Sequence, residues 1–156
     1  MAAGCRPAWR TEGERGGRYG AARAIHGGKR TMLKDHDSSA ILAVSELERA
    51  RAFYGGLLGL EPVRDGSEEG VLLYRTGATQ LVVYLSEEAG SNRANAVVWG
   101  VGDDLDAVVA ALEARGADFQ HYADIGTLEG NVHRVGEAKL VWLKDPDGNI
   151  LHINNI

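Results

Sequence analysis

The chain has 156 residues, 44% of them apolar and 25% charged, and a formal net charge of −5, which is typical of a soluble globular protein of one domain. Its single cysteine, Cys5, excludes a disulfide scaffold and a cysteine-based zinc module. No apolar run approaches the roughly 18 residues of a membrane span, and the negative charge argues against nucleic acid as the main partner. We therefore expect a cytoplasmic protein whose partner is neither a membrane nor nucleic acid.

The charge is divided unevenly along the chain. Residues 1–31 contain seven basic and two acidic residues together with seven of the 21 glycines, whereas residues 32–156 contain 10 basic and 20 acidic residues. A segment without apolar periodicity cannot bury enough surface to offset its ordering entropy. We predict a disordered basic tail over residues 1–37 and a folded domain over 38–156. The favoured interpretation is a segment without function, either because translation begins at Met32 or because the tail is a passive extension. The alternatives are a basic arm for nucleic acid or membrane surfaces and a transit peptide.

The first half of the predicted domain shows a strand, a helix and a hairpin. Ser39–Val44 is a short apolar run typical of a strand. Ser45 and Glu48 fit a capping box at the start of a helix, and Gly59 is placed to end that helix. Two further strands, joined by a tight turn, are predicted at Val71–Arg75 and Gln80–Leu85.

The second half shows the same order of elements. Ala96–Val101 is predicted to be a strand, and Asp103 or Asp104 to cap a helix that ends at Gly116. Asp118–Tyr122 is predicted to be a short strand. The last two strands, joined by a turn of sequence DPDGN, are predicted at Leu140–Leu143 and Ile150–Ile153.

These two halves indicate an internal duplication. Leu47 corresponds to Leu105, 58 residues later, and Gly59 to Gly116, 57 residues later. We predict an α+β fold in which two tandem β-α-β-β-β modules form a curved mixed sheet around a concave cavity, with the helices on the outer face. The predicted modules span residues 38–93 and 94–156. Neither half, at about 60 residues, would bury a generous core alone.

Side chains alternate across a strand, so the predicted sheet has two different faces. One face is uniformly apolar and should pack against the helices. The other face mixes small, polar, aromatic and aliphatic residues, a combination that suits a small organic ligand. A second subunit packing on this face is the alternative. The residues predicted to bind a ligand there are Ser39, Ile41, Gln80, Val82, Tyr84, Ala96, Val98, Trp142, His152 and Asn154.

The segment 122–139 has no clear periodicity. A loop of this length in a compact domain is usually functional or disordered. Two interpretations fit the segment equally well, a lid over the cavity and a solvated connection. The residues predicted for the lid are His121, Tyr122, Asp124, His133 and Arg134.

Two motifs carry a resemblance to a known family. The helix sequence SELERARAFY, at residues 45–54, is followed by LLGL, and KDPDGN occupies residues 144–149. Together they resemble the vicinal oxygen chelate superfamily, which includes glyoxalase I, bleomycin-resistance proteins and extradiol dioxygenases. The resemblance covers about residues 38–156 and implies a divalent metal held by four side chains on the concave face. The matching positions in this chain are Ser39, Val82, Ala96 and His152.

Only His152 of these four could ligate a metal strongly, because serine, valine and alanine supply no suitable nitrogen or carboxylate ligand. The chain therefore resembles the metal-free branch of the superfamily. This resemblance implies a homodimer without a cofactor that sequesters a small, often aromatic or antibiotic-like molecule. His152 is the best candidate for a hydrogen-bonding or acid–base group.

Two alternatives to sequestration stay open. One is an enzyme of the same fold, a glyoxalase-like lyase, an isomerase or a dioxygenase, with an atypical metal site. The other is a dimeric regulatory or assembly module whose concave face is closed by a partner. We favour binding over turnover, because three of the four positions that the resemblance assigns to metal ligands have lost ligand chemistry.

Overall fold

The computed structural model describes residues 32–156, without the side chains of residues 35 and 65–67. The predictions for residues 1–31 lie outside the described residues. Residues Ser39–Ile156 form one compact unit, which is separate from the residues up to Ser38. Within residues 32–156, no helix has both the length and the apolar character needed to cross a membrane.

The first module contains one helical segment and a four-stranded sheet. Strand β1 is parallel to β4, which forms a tight hairpin with β3, and β2 lies at the far edge, giving the order β1-β4-β3-β2. The predicted hairpin is thus confirmed, whereas β2 was not predicted. The elements are β1 (Ala40–Val44), α1 (Leu47–Arg51), a π-helical turn (Ala52–Leu57), β2 (Pro62–Gly66), β3 (Val71–Thr76) and β4 (Thr79–Leu85).

The second module repeats this plan in a six-stranded sheet. Its strand order is β5-β10-β9-β8-β7, and β6 also pairs with β9. The pair β5 and β10 is parallel, like β1 and β4. The elements are β5 (Asn95–Gly100), α2 (Leu105–Ala114), β6 (Phe119–Gln120), β7 (Thr127–Glu129), β8 (Val132–Val135), β9 (Ala138–Lys144) and β10 (Ile150–Asn154).

The predicted α+β fold of two repeated modules is confirmed, with two corrections. The strands form two hydrogen-bonded sheets rather than one continuous sheet. The segment 122–139, predicted to be a loop, contains the hairpin β7–β8, which extends the edge of β9. These strands are only three and four residues long, and such short strands leave too little alternation to be recognised in a sequence.

The core lies between the sheets and the helices, as the alternation of side chains predicted. Leu42 and Val44 of β1, with Leu81 and Val83 of β4, are almost completely buried. In the second module, Leu151 and Ile153 of β10 are buried in the same way. The helices complete the core with Ala50, Tyr54, Leu105, Val109 and Leu112. Burying this apolar surface is the main force that holds the helices on the sheets.

The predicted capping box at the start of α1 is wrong. The helix begins after Glu46, whose side chain makes no capping bond. The Ser45 hydroxyl instead donates to Asp147 Oδ1 at 2.6 Å, and the Ser45 amide donates to Asp147 Oδ2 at 3.2 Å. Arg49 Nη2 also lies 3.0 Å from Asp147 Oδ1. Ser45 is therefore engaged by a carboxylate from the other module, which sequence spacing could not reveal.

The first helix also differs from a regular α-helix. After Arg51 the backbone widens into π-helical turns, with the Leu58 amide donating to the Phe53 carbonyl at 2.9 Å. The two adjacent glycines in this stretch have low helix propensity. The predicted end of the helix at Gly59 is confirmed, because this glycine has φ of 70°.

The second helix begins and ends where the sequence predicted. Asp104 occupies the N-cap, but its side chain makes no capping hydrogen bond. A short 3-10 turn over Gly102–Asp104 leads into the helix instead. Gly116, with φ of 78°, follows the last turn and ends the helix as predicted.

A buried polar network joins the two modules. Asp145 Oδ2 accepts hydrogen bonds from the Tyr54 hydroxyl at 2.6 Å and from Asn149 Nδ2 at 2.8 Å. Its Oδ1 accepts from the amides of Asn149 and Asp147, at 2.8 and 3.0 Å. Asn149 Nδ2 donates further to the Ala43 carbonyl at 2.9 Å. The DPDGN turn therefore joins β9 to β10 and also hydrogen-bonds this end of the second module to the first module.

Tyr54 serves this network as a neutral donor. Burial raises the pKa of the Tyr54 phenol well above its usual value, and the negative charges of Asp145 and Asp147 act in the same direction. The phenol thus keeps its proton at every physiological pH. Its hydrogen bond to Asp145 satisfies both groups away from solvent.

Candidate functional site

The candidate site lies on the sheet face opposite the helices, which we call the concave face. The strand registers place the predicted residues there side by side: Ile41 pairs with Val82 in the first module. In the second module, His152 of β10 lies between Val98 of β5 and Trp142 of β9. Trp142, whose orientation the sequence left open, therefore shares this face with His152.

The concave face is apolar and partly open. Ile41 and Val98 are 62% and 56% exposed. Exposed aliphatic side chains on the sheet face that also bears Trp142 favour a contact with a ligand or a protein there. Of the other predicted residues of the face, Trp142 and His152 are buried, and Ser39, which precedes β1, is exposed. The rest are half-buried: Gln80, Val82, Tyr84, Ala96 and Asn154.

Four rings form a cluster on the second module, which we call the aromatic cluster: Tyr122, His133, Trp142 and His152. Trp142 lies at its centre and stacks on His152, with ring centroids 4.7 Å apart and planes at 29°. Tyr122 and His133 meet Trp142 edge-on, at 5.2 and 5.3 Å. Such edge-to-face and stacked contacts hold rings in fixed orientations.

His152 is buried in this cluster as a neutral imidazole. Its Nδ1 lies 3.2 Å from the Val141 carbonyl, which can only accept, so Nδ1 carries the hydrogen. Its Nε2 lies 3.2 Å from Asn154 Nδ2, which donates to it. Burial lowers the pKa of His152 below the usual 6.5, and the hydrogen bond to Val141 opposes this shift in part.

The lowered pKa of His152 predicts that the protein loses stability on acidification. The unfolded chain binds a proton at this histidine below about pH 6.5, before the folded protein does, so unfolding is favoured as the pH falls from there towards the folded-state pKa. Above pH 6.5 this contribution is fully present. We expect His152→Gln to flatten the decline in urea-unfolding free energy between pH 7.5 and 5. An unchanged decline in the variant would contradict the assignment.

His133 is part of the floor of the site rather than of a lid. It is only 1% exposed. Its Nδ1 donates to the Ile125 carbonyl at 2.9 Å, and its Nε2 accepts from the Tyr122 amide at 3.3 Å. These two bonds again define a neutral tautomer. The prediction of a lid role for His133 is therefore wrong: this side chain fastens the segment 122–125 to β8.

The other residues predicted for the lid lie around this anchor. His121 Nε2 is 2.8 Å from Asn131 Oδ1, and Asn131 Nδ2 donates to Glu113 of α2 at 2.7 Å. Arg134 pairs with Glu129 across the β7–β8 hairpin, which gives it a structural partner. A covering role for His121, Tyr122 and Asp124 stays a prediction.

Beside the aromatic cluster lies a cleft of about 270 Å³. Buried Trp142 and half-buried Tyr122 contribute aromatic surface to the cleft. Arg93, Ala94 and Asn95 are exposed at its rim. Sequence analysis missed Arg93, and the one signal it offered was a cation two residues before β5. We call this space the Trp142 cleft; it is lined by Arg93, Ala94, Asn95, Tyr122, Ile125, Trp142 and Ile150.

A second cavity, of about 140 Å³, lies between the first helical segment, α2 and the sheet of the second module. The described residues that line it are all apolar and include Leu58, Trp99 and Leu143. Without a polar group to orient a ligand, it resembles a packing void of the core.

The residues of the concave face do not fit the four-ligand metal site of related enzymes. Of the corresponding positions Ser39, Val82, Ala96 and His152, only His152 offers a ligand, and both of its ring nitrogens are hydrogen-bonded. Over residues 32–156, no three histidine, cysteine, aspartate or glutamate side chains are grouped so that they could hold a metal ion. A divalent metal in such a fold needs several nitrogen or carboxylate ligands.

The fold and the concave face define a family. The profile of the Glyoxalase/Bleomycin resistance protein/Dioxygenase superfamily matches residues 35–153. The chain belongs to this superfamily. Among curated proteins, no sequence matches the chain at a significant level.

Solved structures show the same fold. A glyoxalase/bleomycin resistance protein from Catenulispora acidiphila is 26% identical, with a TM-score of 0.56, over 77% of this chain and 97% of that one. The fosfomycin resistance protein FosX from Mesorhizobium loti is 16% identical, with a TM-score of 0.57, over 78% and 92%. Lactoylglutathione lyase from Agrobacterium tumefaciens is 20% identical, with a TM-score of 0.58, over 76% and 92%. The last two are similar in fold alone.

Proposed function

We propose that this protein binds and sequesters a small, planar organic molecule on its concave face without using a metal. The observation that carries the proposal is the aromatic cluster beside the Trp142 cleft. A ring of the ligand would lie against Trp142 and Tyr122, and exposed aliphatic residues such as Val98 would extend the apolar wall. Apolar walls with a few placed polar groups are the usual design of small-molecule sites.

The polar groups of the proposed site can bind but are poorly suited to metal-assisted chemistry. Neutral His152 offers a hydrogen-bond acceptor at Nε2 when the Asn154 amide turns away. In a related metal-dependent enzyme, a bound metal would polarise a substrate oxygen. The donor set of this chain does not support that step, which favours binding over turnover.

A pair of matched tryptophan variants tests the site. In a thermal-shift screen of planar aromatic compounds and antibiotics, a ligand at 100 times its dissociation constant should stabilise the protein by about 2.7 kcal/mol. We expect Trp142→Phe to weaken binding of the best hit about fivefold to tenfold, because a large stacking surface is lost. Trp99→Phe makes the same change in a side chain packed against the core and should leave the dissociation constant within twofold. Equal effects of both changes, or no hit in the screen, would contradict the proposal.

Metal analysis separates this proposal from the enzyme alternative. Protein purified without chelators should contain a substoichiometric amount of divalent metal by mass spectrometry, and ligand binding should survive dialysis against EDTA. Stoichiometric metal that disappears in His152→Ala would overturn the metal-free part of the proposal and favour a lyase or dioxygenase.

A further inference from the structure

Among the described residues that line the Trp142 cleft, Arg93 is the one with a charged side chain. Within the part of the chain that the structure describes, its guanidinium makes no side-chain hydrogen bond or ion pair. The backbone around it is fixed, because the Ala94 amide donates to Asn92 Oδ1 at 3.0 Å, directly before β5 begins. A free cation is therefore held at the rim of an aromatic cleft.

The rest of the lining defines the chemistry that this cation can meet. Asn95 supplies an amide, and Tyr122, Ile125, Trp142 and Ile150 supply apolar or aromatic surface. Over residues 32–156, none of the residues that line the cleft is a carboxylate that could neutralise Arg93. Because a guanidinium matches a carboxylate with two parallel hydrogen bonds, an anionic group is the natural partner at this rim.

The size of the cleft limits the body of the ligand. A cavity of about 150 Å³ holds one benzene ring, and pockets for drug-sized molecules span about 300–1,000 Å³. At about 270 Å³, the Trp142 cleft accommodates one or two fused rings. A flat ring fits better than a chain, because Tyr122 and Trp142 stand nearly perpendicular, with ring planes at 85°.

We propose that the Trp142 cleft selects aromatic carboxylates of one or two rings. The ring packs against Trp142 and Tyr122, and the carboxylate accepts hydrogen bonds from Arg93 and the Asn95 amide. This inference rests on the proposed function and adds the charge and size of the ligand. The specificity comes from Arg93, because the aromatic walls would bind the neutral amide of the same ring system as well.

Two probes that differ only in charge test the inference. The affinities of 2-naphthoate and 2-naphthamide are measured by isothermal titration calorimetry, and the site is located from the backbone NMR signals of Tyr122 and Asn95. For the wild-type protein we expect 2-naphthoate to bind about tenfold more tightly, a modest value because Arg93 is exposed and screened by salt. Arg93→Gln should reduce that preference to twofold or less and leave the affinity for 2-naphthamide unchanged.

The matched control is Arg75→Gln. It removes one positive charge from β3 of the first module, where Arg75 pairs with Glu61, and should leave the preference for 2-naphthoate intact. If both variants lost the preference for 2-naphthoate equally, the preference would depend on the net charge of the protein rather than on Arg93. This result would overturn the inference.

Two further outcomes separate the inference from the proposed function. If both probes bind the cleft equally in the wild-type protein, the selection of anions is wrong but the binding of planar molecules stands. If neither probe shifts the cleft signals while other compounds stabilise the protein through Trp142, the stated ligand class is wrong. If neither probe binds and no planar compound stabilises the protein, both proposals fail.

Discussion

Asp145→Ala is expected to lower the free energy of unfolding by about 3–5 kcal/mol, the size usual for breaking a buried, fully bonded charge. The substitution removes the acceptor of four hydrogen bonds at once, from Tyr54, Asp147 and two donors of Asn149. The Tyr54 hydroxyl would then be buried without a partner. Because the free energy of unfolding of a native protein is usually about 5–15 kcal/mol, this loss would leave the folded state only marginally stable.

Urea denaturation followed by circular dichroism measures the effect of Asp145→Ala. Asp103→Ala, an exposed aspartate at the 3-10 turn before α2, is the control and should change stability by less than about 0.5 kcal/mol. Tyr54→Phe should cost about 1–2 kcal/mol. It should cost much less in the Asp145→Ala background, because its acceptor is already gone. Strict additivity of the two changes would mean that the hydrogen bond between them does not stabilise the fold.

His133→Ala is expected to destabilise the protein by about 2–4 kcal/mol, through a cavity in the aromatic cluster and two backbone groups left unpaired. The Tyr122 amide and the Ile125 carbonyl both lose their partner. These two residues also line the Trp142 cleft. The same change should therefore abolish detectable binding of planar ligands, even where the rest of the protein remains folded.

Hydrogen exchange locates the effect of His133→Ala. Backbone amides of residues 121–126 should exchange at least tenfold faster in the variant than in the wild-type protein. The amides of β1 and β4 should exchange at the same rate in both proteins. His121→Ala is the control: this exposed histidine hydrogen-bonds to the Asn131 side chain, and its ring centroid lies 6.1 Å from that of His133. Its loss should leave the two backbone hydrogen bonds of His133, and with them the cleft, intact. Unchanged protection at Tyr122 and Ile125 in His133→Ala would show that His133 does not hold this segment.

The sequence predicted the parts of the fold that depend on local chemistry. Gly59 and Gly116 ended the two helices as expected, because both need positive φ. Alternation along β1 and β10 separated the buried face from the concave face correctly, since the register of a strand with one buried face is strongly fixed. The similarity of the two halves then predicted the repeated modules.

The features that sequence analysis missed depend on contacts between distant residues. Ser45 has the sequence context of a cap, yet Asp147, 102 positions away, is its partner. His133 was placed in a lid because its segment lacks periodicity, although tertiary contacts make it the most enclosed histidine of the cluster. Arg93 has no sequence motif at all, and only the fold brings it to Tyr122 and Trp142.

The hairpin β7–β8 makes the two modules unequal. On its side away from β4, strand β3 of the first module pairs with β2 alone, whereas on its side away from β10, strand β9 of the second module pairs with both β6 and β8. The ring that β8 adds to the aromatic cluster thus has no counterpart on the first sheet. A duplicated fold could offer two equivalent sites, but within residues 32–156 the aromatic cluster and the cleft beside it lie on the second module. A ligand bound as proposed would therefore saturate at a stoichiometry of one molecule per polypeptide.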